Sequence, residues 1–158
     1  FACALALVLS IYTLYQIKTQ IKWPNDLLLN NKKLAGILIE TMCQAETMDV
    51  VIGFGLNIYH QDFKNLNAIS LEDVHPLEID RNILLIHYFK TFDELMHSRN
   101  IIDLYRKWMI PRDECILTTI EGTKTHVTLL DIQEDGTLLV KKGNGKEIIL
   151  FNEEIHNL

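Results

Sequence analysis

Three apolar runs and one alternating run crowd into residues 20–57, with only short turns between them. Parallel neighbours need a crossover of a dozen or more residues, so runs this close pair as an antiparallel or mixed sheet. Residues 20–23 (Gln-Ile-Lys-Trp) alternate as a strand until Pro24 ends or kinks it. Residues 27–29 form a short apolar run, and Asn30-Asn31 marks a turn, because Asn tolerates the left-handed region. Residues 34–39 and 50–54 are apolar at nearly every position, the pattern of strands buried on both faces.

Helical rhythm flanks this sheet. Ala4, Leu7, Val8, Ile11 and Leu14 recur at helical spacing, which predicts a buried helix over the first 15 residues. A membrane span needs about 20 apolar residues, and Ser10, Thr13 and Gln16 arrive too early for one. A secretory leader would open on a basic stretch, and none is present. Residues 60–76 are polar and aperiodic, a long loop of the kind that is often functional. Ile83, Ile86, Phe89, Phe92 and Leu95 form an apolar stripe along a helix over residues 79–96, with Asp80 as its N-cap. A second helix covers residues 101–109 and stops before Pro111. Beyond it come four short β-type runs at 115–120, 125–130, 137–140 and 147–151, divided by Gly122, Asp135-Gly136 and Asn144-Gly145. Four such strands make a small barrel. The predicted domains are therefore residues 1–111 and 112–158.

With 48% apolar residues the chain can bury a core, and with a net charge of -6 it is a poor non-specific nucleic-acid binder. An RNA-binding barrel would also need basic patches interleaved with aromatics, which are missing. Cys3, Cys43 and Cys115 are odd in number and far apart, which fits a reducing, cytoplasmic setting rather than a disulfide framework. The histidines lack zinc-ligand spacing, and neither a Gly-x-Ser-x-Gly elbow nor a Walker loop occurs. Gly53-x-Gly55 is not a dinucleotide fingerprint, since Ile58 stands where a third glycine belongs.

Chemistry is concentrated in three polar blocks at strand ends: Lys22-Trp23-Pro24-Asn25-Asp26, Lys33-Leu34-Ala35-Gly36 and Gly53-Phe54-Gly55-Leu56-Asn57. Lys22 alternates with Ile21 and Trp23 and faces away from them. Lys33, backed by an apolar strand, is a cation suited to an anionic group on a mostly apolar ligand. Gly53 and Gly55 leave the backbone bare, so a flat ring or a phosphate can approach closely. Each feature also has a plainer meaning. A strand-end lysine is usually a solvated charge, Asp26 after Asn25 a turn residue, and Trp23 a core residue. Lys141, Lys142 and Lys146 read as a solvated hairpin tip, or as a guide for a nucleotide or an acidic carrier surface.

Taken together, Lys22-Trp23-Pro24-Asn25-Asp26-Leu27, residues 33–40 (Lys-Leu-Ala-Gly-Ile-Leu-Ile-Glu) and residues 53–57 resemble the biotin–protein ligase family in order, spacing and setting. Residues 68–71 (Ala-Ile-Ser-Leu), the helix from Tyr105 to Trp108 and the terminal β module extend the resemblance over essentially the whole chain. It implies an α+β fold: a partial class II aminoacyl-tRNA synthetase-like catalytic domain with a mixed sheet, then an SH3-like barrel. It implies activation of biotin with ATP and Mg2+, and transfer to a lysine of the biotin carboxyl carrier protein of acetyl-CoA carboxylase.

Carried over residue by residue, Lys33 meets the biotin carboxyl and the forming phosphate ester, and Lys22 is similar in kind. Asn25 and Asp26 lie near the phosphates, with Asp26 either helping to hold Mg2+ or helping to deprotonate the carrier lysine. Trp23, Gly36, Gly53, Gly55, Leu56 and Asn57 complete the biotin and adenylate pocket, Asn57 near adenine or ribose. The family's upstream Gly-Arg-Gly-Arg loop and Ser/Thr-Asn element are absent, and Phe1 rather than Met opens the chain. A fragment with weak activity of its own is therefore expected. No DNA-binding helix-turn-helix is visible. The resemblance allows a homodimer through a sheet edge. Two alternatives stand beside the ligase: a lipoate-type ligase of the same fold, and a non-catalytic dimerisation or carrier-docking remnant.

Overall fold

The computed structural model describes residues 1–158 except 45–46, 65, 76–77, 112–113, 119–123, 152–153 and 158. The turn expected at Gly122, residues 119–120 of an expected strand and Pro76 thus lie outside the described residues. The chain divides into two compact units, Ala2–Ser98 and Arg99–Leu158, the second including Phe1. The division precedes the short helix that leads to Pro111, the place where the composition changes.

In the first unit, α1 (Ala2–Tyr15) leads into β1 (Gln20–Lys22), β2 (Asp26–Leu29), β3 (Lys32–Gln44) and β4 (Thr47–Leu56), and α2 (Arg81–Met96) closes it. The strands form one sheet in the order β1-β2-β3-β4, antiparallel throughout. Among the described residues, parallel pairing enters as the bridge from Lys33 to Ala68. Asn30 and Asn31 both take positive φ, 51° and 59°, and turn β2 into β3 as their side chains permit. Residues directly opposite in an antiparallel pair share a face. One face therefore carries Ile21, Leu27, Ala35 and Ile37, all buried, on the side of the apolar helix α1. α1 buries Ala2 to Val8 and Ile11, as its rhythm predicted.

Two expectations are corrected. The runs at 34–39 and 50–54 are not buried on both faces: Leu38 is 60% exposed, Val51 59% and Ile39 49%. The hairpin of β3 and β4 extends well beyond α1 and α2, and a run that is apolar at every position carries no period to say which face is covered. In α2 the buried residues are Leu84, Tyr88, Thr91 and Leu95, whereas Ile83, Ile86 and Phe89 of the expected stripe are exposed. The helix is apolar nearly all round its first two turns, so spacing alone does not choose its inner face. Phe54 does choose it, packing its ring 4.8 Å from that of Tyr88. Asp80 caps α2 as expected, accepting from the backbone N–H groups of Asn82 and Ile83.

The second unit contains α3 (Ile101–Trp108) and strands β5 (Glu114–Thr118), β6 (Lys124–Ile132), β7 (Leu138–Lys142), β8 (Glu147–Leu150) and β9 (Glu154–Asn157). Its sheet runs in the order β8-β7-β6-β5-β9, wholly antiparallel and open as described. The fifth strand, β9, was not foreseen. Gly136 and Gly145 turn the hairpins at φ 92° and 83°, where a side chain would be strained. α3 belongs to this unit. Tyr105 is 1% exposed, and the Arg106 guanidinium donates to Asp131 and to the Ile132 carbonyl.

Candidate active site

One row of residues crosses the first sheet. Lys22 of β1 stands opposite Asp26 of β2, Asp26 opposite Gly36 of β3, and Gly36 opposite Gly55 of β4. These four share the face away from the buried Ile21, Leu27 and Ala35. In the next row on that face, Leu38 lies opposite Gly53. A side chain added at Gly53 or Gly55 would meet nothing within 4 Å, so this part of the sheet is a bare floor.

A register shift between β2 and β3, where Leu27 pairs with Ala35 but Leu28 with Lys33, leaves Leu34 as the extra residue and brings Lys33 within reach of the row. Its ammonium lies 2.7 Å from the Asp26 carboxylate. Gly36 makes the pair possible: a Cβ there would stand 3.3 Å from Asp26 Oδ1 and 3.3 Å from Lys33 Cε. The cation is half exposed and the carboxylate 17% exposed, so Lys33 remains available to an incoming anion while Asp26 holds it in place.

Beside the pair opens a cavity of about 590 Å3. Its walls include Lys33, Gly36, Gly55 and Asn57 on the sheet, and Phe63 and Lys64 on the loop after β4. Asn57 joins the sheet to that loop, its side-chain amide donating to the Ile69 carbonyl at 3.1 Å and to the Lys33 carbonyl at 3.4 Å. The backbone of Lys33 donates to Asn67 and accepts from Ile69. Lys33 is thus fixed at the backbone, with its half-exposed tip held by Asp26.

The remaining expected site residues are placed less uniformly. Lys22 and Asp26 stand on the site face, and Gly53 extends its floor, though none of these three lines the cavity itself. The Asn25 amide is committed to the Ile37 carbonyl at 2.9 Å, and the Asn25 carbonyl accepts from Ile37 N–H. Asn25 therefore ties the turn before β2 to β3. Trp23, before a cis peptide bond to Pro24, is 3% exposed and part of the core. Leu56 alternates to the other face and lines a separate cavity of about 450 Å3 with Leu7, Phe54 and Tyr88.

Sequence reasoning gave no role to His60 or Asp73, and took Ser70 only as part of the resemblance over residues 68–71. Asp73 accepts from the Ser70 backbone and hydroxyl at 2.8 Å each, and pairs with the His60 imidazole. The pattern Ser70-x-x-Asp73, a reciprocal cap of a helical turn, was the available signal. The hydrogen bond to His60 and those to Ser70 hold the Asp73 carboxyl down at about 2, and Asp73 in turn raises the His60 imidazole above its ordinary value.

Among the described residues no group of three or more His, Cys, Asp or Glu side chains is arranged to hold a metal, and no helix is long and apolar enough to cross a membrane. Asp26 is then the carboxylate of the site row. A magnesium ion fits such a place only when substrate phosphates and water supply its other ligands, which is its usual habit at nucleotides.

Residues 3–57, which hold all three polar blocks, match the Biotin/lipoate A/B protein ligase family. The bifunctional ligase/repressor BirA of Salmonella typhimurium is 31% identical over 157 residues, covering 87% of this chain and 48% of that protein. The biotin–[acetyl-CoA-carboxylase] ligase of Mycobacterium tuberculosis is 27% identical over 146 residues, covering 88% of this chain and 53% of its own length. The chain thus spans about half the length of these curated relatives. Among solved structures, the biotin protein ligase of Aquifex aeolicus in complex with biotin and ATP superimposes with a TM-score of 0.76 at 22% identity, over 99% of this chain and 72% of that one. Residues 3–57 thus carry the match to the biotin/lipoate ligase family, and the chain is similar to biotin–protein ligases over most of its length.

Proposed function

We propose that this chain supplies the lysine-bearing and glycine-floored part of a biotin–protein ligase site, which activates biotin with ATP and transfers it to a lysine of the biotin carboxyl carrier protein of acetyl-CoA carboxylase. The observation that carries this reading is the Lys33–Asp26 pair beside a cavity floored by Gly36 and Gly55. Activation brings the biotin carboxylate against the α-phosphate of ATP, two anions that repel each other. A cation held between them offsets charge that grows in the transition state, and a pre-positioned group does so without reorganisation. Lys33 fills that role, and Lys22, on the same face, adds to the positive field. The carboxylate oxygen bonds to phosphorus and pyrophosphate leaves.

In the second half-reaction the carrier lysine attacks the acyl carbon and AMP departs. That amine has a free pKa of about 10.4 and must lose a proton. In this reading Asp26, the carboxylate of the site row, helps to receive it. Magnesium, bound through ATP phosphates with Asp26 beside it, would supply further charge neutralisation. Gly53, Gly55 and Asn57, with the loop after β4, make the nucleotide side in this reading. Residues 112–158 are read as the family's SH3-like barrel, and the protein as cytoplasmic.

The test is labelling of a purified carrier domain with biotin, ATP and Mg2+, by this chain alone and by this chain joined to the upstream Gly-Arg-Gly-Arg segment of a relative. Labelling that is lost in Lys33→Ala supports the ligase. Labelling with lipoate in place of biotin moves the substrate to the lipoate branch. The exposed Leu38, Met42 and Val51 on one face of the β3–β4 hairpin favour a second reading, a docking or dimerising module. Tight carrier binding without labelling by either form would put that reading first.

A further inference from the structure

Within this ligase reading, residues 61–64 of the cavity wall that would face the nucleotide lie in neither helix nor strand, yet the wall is held at defined points. At its near end, Leu71 N–H donates to the Asn57 carbonyl and Glu72 N–H to the Ile58 carbonyl. At its far end, residues 67–69 are bonded to the Lys33 backbone. Between these ends the wall residues Gln61, Asp62, Phe63 and Lys64 follow directly on His60. His60 is fastened twice to the turn at 70–74. Its backbone N–H donates to Glu72 Oε2 at 2.6 Å, and its imidazole Nδ1 pairs with Asp73 Oδ1 at 2.5 Å. That turn is itself rigid. Ser70 and Asp73 cap each other, and Ser70 and Leu71 are fully buried.

We propose that His60 is a positioning residue for nucleotide binding, whose clamp by Asp73 and Glu72 holds residues 61–64 against the cavity beside Lys33. It touches no reacting atom and acts through the wall it orders. An ion pair this exposed adds little to global stability. Its effect is therefore local, on a segment with few other ties, and it shows in binding rather than in the melting temperature.

The groups that face the imidazole are Asp73 and Glu72 from the turn and Asp62 from its own loop, all acidic. Its charged form is favoured by the hydrogen bond and by their field. The clamp is fully present below the imidazole's ordinary value of about 6.5 and weakens as pH rises through the raised one, so nucleotide affinity falls over the same interval.

Three forms of this chain, wild type, His60→Ala and His60→Gln, are titrated with ATP and Mg2+ between pH 5.5 and 9. Amide hydrogen exchange of residues 59–66, the NMR titration of His60 and thermal melts are followed in parallel. In wild type, affinity should drop several-fold as His60 loses its proton. In His60→Ala affinity should be about tenfold weaker, some 1.4 kcal/mol, flat with pH, with faster exchange in the loop and an almost unchanged melt. His60→Gln, neutral but able to donate, should recover part of the affinity without the pH dependence. Equal affinity and equal exchange in wild type and His60→Ala would overturn the proposal. Failure of every form to bind ATP would overturn the nucleotide reading itself, and exchange in residues 59–66 would still decide whether His60 orders the loop.

Discussion

Gly36 has no side chain where Asp26 and Lys33 meet, and that absence fixes the geometry of the site. A Cβ would stand 3.3 Å from both partners, close enough to push on the pair but not to break the sheet. Gly36→Val should therefore fold with nearly the wild-type melting temperature, yet transfer biotin at least about tenfold more slowly, a loss of roughly 1.4 kcal/mol of transition-state stabilisation. Steady-state labelling beside a thermal melt checks it, and a large loss of stability would show that the glycine serves packing instead. At this scale the sequence was informative about residue type and less so about direction. Lys22, Asp26, Gly36 and Gly55 share one face by strand alternation, whereas Lys33, three residues from Gly36 on the same strand, reaches that face only through the register shift, which the sequence does not announce. Asn25 reads equally well as a phosphate ligand and as a backbone tie, and only the Ile37 carbonyl 2.9 Å away separates the two. Trp23 is buried in the core and Leu56 lines the second cavity on the other face, placements that a local motif does not reveal.

The elements that carry these residues were readable where a cap or turn residue marks a boundary. Asp80 accepts from the Asn82 and Ile83 N–H groups in the first turn of α2, and Asp80→Ala should lower stability by about 1 kcal/mol, measurable by urea denaturation. A change below about 0.3 kcal/mol would mean that packing of Leu84, Tyr88 and Leu95 fixes the helix end without the cap. Elements were not readable where every position is apolar, as in β3, β4 and the first turns of α2, because burial there depends on what lies against them and not on a period. β9 (Glu154–Asn157) carries only Ile155 as an apolar side chain and has no pattern of its own; pairing with β5 makes it a strand. The turn at 70–74 brings a pH dependence with a definite sign. Asp73 titrates at about 2, below the ordinary carboxylate range. Its contribution is whole above about pH 4 and is lost as pH falls towards 2, while the contribution of His60 is whole below about pH 6.5 and is lost above it. Protection of amides 70–73 from exchange should therefore be greatest between those limits and decline on either side. Protection that rises steadily from pH 6 to 9, after correction for intrinsic exchange rates, would contradict this pairing.

On the scale of the whole molecule, α1, the four-stranded sheet and the loop after β4 form one unit that presents a polar row on a bare floor. The β-rich unit after Ser98 is built separately around Tyr105, Leu129 and Leu138. Beside the row, Leu38 is 60% exposed, and the chain spans about half the length of its curated relatives. The first half-reaction needs no carrier and is therefore the cleanest probe of what the row does. Biotin, ATP labelled at the α-phosphate and Mg2+ are mixed with this chain joined to the upstream segment of a relative, and biotinyl-adenylate is separated and counted, for wild type and Lys33→Ala. A ligase site of the kind described forms the labelled adenylate and loses roughly 100-fold or more of its rate when the Lys33 cation is removed. Adenylate formed equally fast by Lys33→Ala, or by neither protein, would contradict it.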